Sequence, residues 1–298
     1  MIFEKILGND NNKIFLRNIL KNNTVSHSYM FIGENSIGKM LFAKEFAKGI
    51  LCADVNDKPC GNCASCKKFD NGNHPDFFIL DEEDTIKNEQ IREINKSILE
   101  KPIENFKKVY IINNSENMTI QAQNSLLKTL EEPPEHAVII LITANENKML
   151  TTIKSRCTKI KFNPLNNSEI CTILKQKYQI DNLTDDLLKL AGGSIERALK
   201  VQTNEHTYNY LEKTFKDIKN INELEFLKTK EEITQNKDEI NSILEYINII
   251  LKDLSTNDPK YINCIFIVEQ TKERLKRNSN FDMTIDNLLL KIWEEING

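Results

Sequence analysis

The stretch Gly33-Glu34-Asn35-Ser36-Ile37-Gly38-Lys39-Met40 limits what this chain can fold into more than any other. It follows a short apolar run at residues 29–32 and opens a helical pattern in which Phe42, Phe46 and Ile50 repeat at i, i+4 and i+8. The spacing is G-x-x-x-x-G-K, that of a P-loop. Glycines let the backbone curl until its N–H groups face a phosphate, and the helix N-terminus that follows adds partial positive charge. Gly33 and Gly38 would shape such a loop, and Lys39 would reach the terminal phosphates. A plain strand-to-helix turn is the alternative. Spacing and context agree on the phosphate loop.

Further apolar runs at 77–80, 109–112, 138–142 and 159–162 read as strands. Those at 109–112 and 138–142 are nearly all apolar, as expected of strands covered on both faces of a parallel sheet. Helical patterns lie between them: Ile91, Ile94 and Ile98 form one, Ala122, Leu126 and Leu130 another. This alternation predicts an α/β domain with a five-stranded parallel sheet. The texture changes after Phe162, where Asn163-Pro164-Leu165 breaks the pattern and only helical periodicity follows. Gly192-Gly193 marks a turn. One apolar stripe joins Ile243, Leu244, Ile247, Ile250, Leu251 and Leu254; a second joins Ile285, Leu288, Leu289, Ile292 and Trp293. The expected division is a P-loop (RecA-like) domain at 1–163, a small helical domain at 164–203 and a helical bundle at 204–298.

The phosphate loop lacks its usual surroundings. A working site places a Ser or Thr hydroxyl after the lysine to bind magnesium. This chain has Met40, whose thioether is a poor ligand for a hard cation. Such a site also ends its third strand with an Asp for the metal and often a Glu for water. Here the strand runs into Asn113-Asn114, both neutral. Glu116 could stand in for the missing acid, but a shift of two residues is hard to absorb in so tight a geometry. Weak or no nucleotide binding, and no ATPase activity of its own, are expected.

Net charge is −4, which argues against a basic nucleic-acid binder acting by its overall field. No run approaches the roughly 18 apolar residues of a membrane span. The N-terminus, Met1-Ile2-Phe3-Glu4-Lys5, is charged and leads into no apolar signal core, so a cytoplasmic location is expected. In a reducing compartment clustered cysteines read as metal ligands before disulfides. Cys52, Cys60, Cys63 and Cys66 are such a cluster, with Pro59 and Gly61 turning the loop between them. Four thiolates make a closed tetrahedral zinc site with no position left for water, hence structural. Four unrelated buried thiols are the alternative. His74 lies nearby, but four sulfurs suffice without it.

Four stretches together resemble one family. They are His27-Ser28-Tyr29-Met30-Phe31-Ile32-Gly33 leading into the loop, the four-cysteine insert, Gln123-Asn124-Ser125-Leu126-Leu127-Lys128-Thr129-Leu130-Glu131-Glu132-Pro133-Pro134, and Ser155-Arg156-Cys157. The family is the AAA+ subunits of the bacterial DNA polymerase III clamp loader, and the resemblance covers about residues 1–200. Beyond that it rests on helical texture and length. It implies an AAA+ P-loop domain with a zinc insert, then a helical lid and an all-α collar.

The family contains gamma/tau motors, which keep the magnesium hydroxyl and the acidic strand end, and a stator-like delta-prime branch. Met40, Asn113 and Asn114 point to the latter. The resemblance makes Arg156 an arginine finger, reaching ATP bound by a neighbouring subunit, where a guanidinium stabilises the transferring charge. A surface arginine paired with an acid is the bland alternative. Thr143 and Asn145 match the family's sensor position. Two departures stand out. The first cysteine gap is one residue short. The lid stretch Gly193-Ser194-Ile195-Glu196-Arg197-Ala198-Leu199 puts Glu196 where the family has its sensor arginine, with Arg197 about 100° further around the helix.

The implied role is a non-hydrolysing subunit assembled with gamma/tau and delta subunits, helping to place the sliding clamp on primer-template DNA. Two rivals are an ATPase motor of the gamma/tau type and a stand-alone zinc-bearing DNA-binding module.

Overall fold

The computed structural model describes residues 2–4, 6–54, 58–82, 84–104, 106–180, 184–277 and 279–298. Met1 and Lys5 of the N-terminal segment, 55–57 of the cysteine loop and 181–183 of the expected lid lie outside the described residues. The chain forms two compact units, residues 1–179 and 180–298.

The first unit is built on a five-stranded sheet in the order β2-β3-β4-β1-β5. The strands are β1 (Ser28–Ile32), β2 (Phe77–Leu80), β3 (Lys108–Ile112), β4 (Ala137–Thr143) and β5 (Thr158–Lys161). All four pairings are parallel, so every crossover needs a connecting segment on one face or the other. Helices α1 (Asp10–Lys21), α2 (Lys39–Leu51), α3 (Ala64–Asp70), α4 (Asn88–Leu99), α5 (Ile120–Glu131), α6 (Thr151–Lys154) and α7 (Asn167–Ile173) complete the unit.

The nearly all-apolar central strands find their reason here. Alternate side chains point to opposite faces, and both faces are covered. Tyr29, Phe31, Val109, Ile111, Val138 and Ile140 join one core with Phe42 and Phe46 of α2. Met30, Tyr110, Ile112, Ile139 and Leu141 join the other with Ile91 and Ile98 of α4 and Leu126 of α5. The strand residues expected from sequence lie in these five strands to within a residue or two at their ends.

The second unit is helical throughout its described residues: α8 (Asp185–Ala191), α9 (Ile195–Thr203), α10 (Glu205–Lys216), α11 (Glu223–Leu227), α12 (Thr229–Gln235), α13 (Ile240–Ser255), α14 (Lys260–Lys276) and α15 (Phe281–Asn297). The two apolar stripes meet in one core, where Ile243, Leu244, Ile247 and Leu251 of α13 pack with Ile285, Leu288, Leu289 and Ile292 of α15. Trp293 is partly buried at its rim against Phe226, with ring centroids 5.8 Å apart. Among the described residues no helix is long and apolar enough to cross a membrane.

Candidate functional site

In a parallel sheet the loops that follow the strands gather at one edge. Gly33 follows β1, and its N–H donates to the carbonyl of Thr143 at the end of β4, 3.2 Å away. Gly38 has φ of 94° and caps α2, a conformation that favours glycine. A Cβ on Gly33 would lie 2.7 Å from the carbonyl oxygen of Phe162 and 2.8 Å from Ile37 Cδ1, so side chains are excluded there by packing. Lys39 is buried at the start of α2 and its Nζ donates to the carbonyls of Gly33, at 2.6 Å, and of Glu34. Burial lowers its pKa to about 8, although the charges of Glu116 and Glu34 work in the opposite direction. The ammonium is thus wrapped in the loop whose phosphate it would contact. Met40 is half-buried and packs into the α2 side of the core.

Asn113 and Asn114 do sit at this edge, at the end of β3. Asn113 Nδ2 donates to Asp81 Oδ1 at 2.7 Å, and Asn114, with φ of 47°, donates to the carbonyl of Glu82 at 3.0 Å. Their amides therefore bind the loop after β2. Glu116, on the short turn Ser115–Asn117, reaches across instead: its Oε1 accepts from the N–H of Ala144 at 2.9 Å. Sequence reasoning weighed Glu116 only as a stand-in acid and missed Asp81. Thr143 is fully buried and its Oγ1 accepts from Asn145 N–H at 3.1 Å, while Asn145 Oδ1 accepts from Asn147 N–H. The buried Gln123 ties α5 to this region, since its Oε1 accepts from Leu150 N–H at 2.8 Å and its Nε2 donates to Lys148 O at 3.1 Å.

Arg156 is at the opposite edge. It lies two residues before β5, and its carbonyl accepts from Ser28 Oγ at 2.6 Å, at the start of β1. Five residues of extended strand separate Ser28 from Gly33, roughly 15 Å at strand rise. Arg156 therefore does not converge on the chain's own loop. Its guanidinium donates from Nη1 to Thr152 O at 2.8 Å and pairs through Nη2 with Glu131 at 2.8 Å. In the second unit Glu196 pairs with Lys200 at 3.4 Å along α9, and the Arg197 N–H is capped by Ser194 Oγ.

The four cysteines come together as expected from their spacing. Sγ atoms of Cys52, Cys60, Cys63 and Cys66 all lie within 4.8 Å of one another, with Cys52 and Cys63 3.9 Å apart. A tetrahedron with Zn–S bonds of about 2.3 Å has edges of about 3.8 Å, so the donor set fits. Backbone N–H groups of Cys60, Cys63 and Cys66 donate to sulfurs of Cys52, Cys60 and Cys63, each at 3.4 Å. Burial opposes ionisation of Cys63, but the N–H donors of Cys66 and Ala53 bring its thiol down to about 6; burial pushes Cys66 up. His74 supplies no ligand. Its Nδ1 accepts from Asp76 N–H at 3.1 Å and its Nε2 meets Ser65 Oγ at 2.9 Å, which donates to Leu51 O at 2.6 Å. This chain of bonds ties the residues beside Cys52 and Cys66 to the strand side of the domain.

A loop of this kind between β1 and α2, at one edge of this parallel sheet, defines a P-loop protein of the AAA+ class. A gamma subunit-related DNA polymerase III protein of Thermotoga maritima has the same fold, with a TM-score of 0.51 at 19% identity over 94% of this chain and 99% of that one. Residues 8–166 match the family described as DNA polymerase III, delta subunit, and the chain belongs to that family, the clamp-loader family its motifs resemble. It is 38% identical to the Bacillus subtilis DNA polymerase III subunit delta′ over 50% of this chain and 46% of that subunit. It is 30% identical to a DNA polymerase III gamma subunit of Buchnera aphidicola over 99% of this chain and 90% of that one. The matched part spans 30% of the Haemophilus influenzae tau/gamma subunit and 46% of the Bacillus subtilis delta′ subunit, less than half the length of either.

Proposed function

We propose that this chain is a delta-prime-type subunit of a clamp loader, a stator that hydrolyses no ATP itself and lends Arg156 to a neighbouring ATPase subunit. One observation carries the reading: Met40, next to Lys39, packs against the core, and Asn113 and Asn114 at the end of β3 commit both amides to the loop after β2. None can hold magnesium against a phosphate or take a proton from water. Arg156 lies at the far edge of the sheet from its own loop, which supports a role outside the chain's own site. In this reading gamma/tau and delta subunits are the partners, and the assembly opens the sliding clamp and places it on primed DNA. Residues 164–203 serve as the lid and 204–298 as the collar. Zinc is held by Cys52, Cys60, Cys63 and Cys66, and its contribution is to fix the loop.

A gamma/tau-like motor is the second reading, favoured by the match to the Buchnera gamma subunit along nearly the whole chain. Magnesium-dependent ATP turnover by the purified chain decides between them. Absence of turnover above a Lys39→Ala control supports the stator, and turnover abolished by Lys39→Ala supports the motor.

A further inference from the structure

Glu116 has no part in the chemistry described above, yet its carboxylate is placed against the phosphate loop. Its Oε1 accepts from Ala144 N–H at 2.9 Å. The neighbouring carbonyl, of Thr143, accepts from Gly33 N–H at 3.2 Å, and Gly33 O accepts from Lys39 Nζ at 2.6 Å. A short run of bonds thus leads from the carboxylate, across the end of β4, to the first glycine and the lysine of the loop. The second oxygen, Oε2, is buried and has no hydrogen-bond partner. A buried carboxylate oxygen without a donor keeps its full charge effect on whatever lies beside it.

We infer that Glu116 is the residue that keeps nucleoside polyphosphates out of this chain's own loop. An acid beside a phosphate is tolerated in an ATPase because a divalent cation lies between them. Here Met40 offers the cation no hydroxyl and Asn113 and Asn114 offer it no charge. The Glu116 carboxylate then faces an incoming phosphate with no cation to bridge them, and it also offsets the charge of Lys39, the loop's own cation. Both effects act against an anion. The loop backbone remains able to bind one: Gly33, Gly38 and the buried Lys39 are all in place. The inference rests on Gly33–Met40 being a phosphate loop, and is independent of the subunit's place in a larger assembly.

The test is an equilibrium titration of the isolated full-length chain with ATP in magnesium-free buffer, repeated with magnesium. Glu116→Gln keeps the shape and the Ala144 bond while removing the charge. It should bind ATP about tenfold or more tightly than the wild type without magnesium. Adding Lys39→Ala should remove the gain, with melting curves showing that each variant is folded. Glu116→Ala should show the same direction. Equal or weaker binding by Glu116→Gln overturns the inference. So does wild-type binding that magnesium strengthens and Glu116→Gln abolishes, because the carboxylate would then be a metal ligand. A gain that survives Lys39→Ala places the nucleotide elsewhere and defeats the phosphate-loop reading itself.

Discussion

Arg156 Nη2 lies 2.8 Å from the carboxylate of Glu131, the last residue of α5. An acid at a helix C-terminus opposes the helix dipole, so the guanidinium offsets a local electrostatic cost. Both side chains are substantially exposed, 34% for Arg156 and 49% for Glu131, and a pair this open contributes only about 0.2–1 kcal/mol. It orients the arginine and releases it cheaply. Glu131→Gln should therefore shift the melting temperature by no more than about 2–4 °C. A drop well beyond that range would mean that the pair is a structural clamp.

The cysteine cluster should carry zinc. Elemental analysis of the purified chain should find it in about equimolar amount, and removal by a strong chelator should lower the melting temperature by about 5 °C or more. His74→Ala separates ligand from support. It should leave the zinc content unchanged, because both ring nitrogens bond elsewhere, yet destabilise the fold by about 1–3 kcal/mol through the buried groups it leaves unpaired. Loss of zinc from that variant would make His74 part of the site.

Much of this was readable beforehand. The doubly covered strands announce themselves because both faces of β3 and β4 demand apolar side chains, and the four cysteines because their close spacing is the one a four-thiolate site would need. What stayed hidden depends on tertiary geometry. Glu116 is four residues past the end of β3, and only the crossing of its turn over β4 turns it toward the loop. Glu131 and Arg156 are far apart in sequence, and their meeting follows from where α5 ends relative to β5. An acid just beyond a strand end, in a chain whose usual acids are amides, already marked Glu116 as a possible stand-in acid; its bond to the Ala144 N–H was not legible there.

Gly33 should tolerate no side chain. Gly33→Ala places a Cβ 2.7 Å from a backbone oxygen that cannot swing aside, and should cost about 1–3 kcal/mol in urea denaturation. Gly38→Ala meets nothing within 4 Å, and its cost comes from φ of 94° alone. A fully stable Gly33→Ala chain would mean that the loop is looser than described.

Anion binding to the loop should depend on pH through Lys39. The folded chain holds this lysine near 8, below the ordinary 10.5, so the charged form is the one the fold disfavours. Sign follows directly: a phosphate needs the ammonium, so affinity should be highest below pH 8 and fall as pH rises through it, by up to about tenfold per unit. In Glu116→Gln the fall should begin lower, because a charge that held the proton on Lys39 is gone. Affinity constant up to pH 9.5 would contradict this.

The most direct measurement of the central claim is ATP turnover by a clamp loader reconstituted from this chain and the gamma/tau and delta subunits that the stator account assigns to it, with wild-type chain or with Arg156→Ala. Assembly, checked by gel filtration, should be intact in both. The stator account predicts that Arg156→Ala lowers kcat at saturating ATP by about tenfold or more, since an arginine finger acts on the transferring phosphoryl group. Unchanged turnover by an intact Arg156→Ala complex would contradict it.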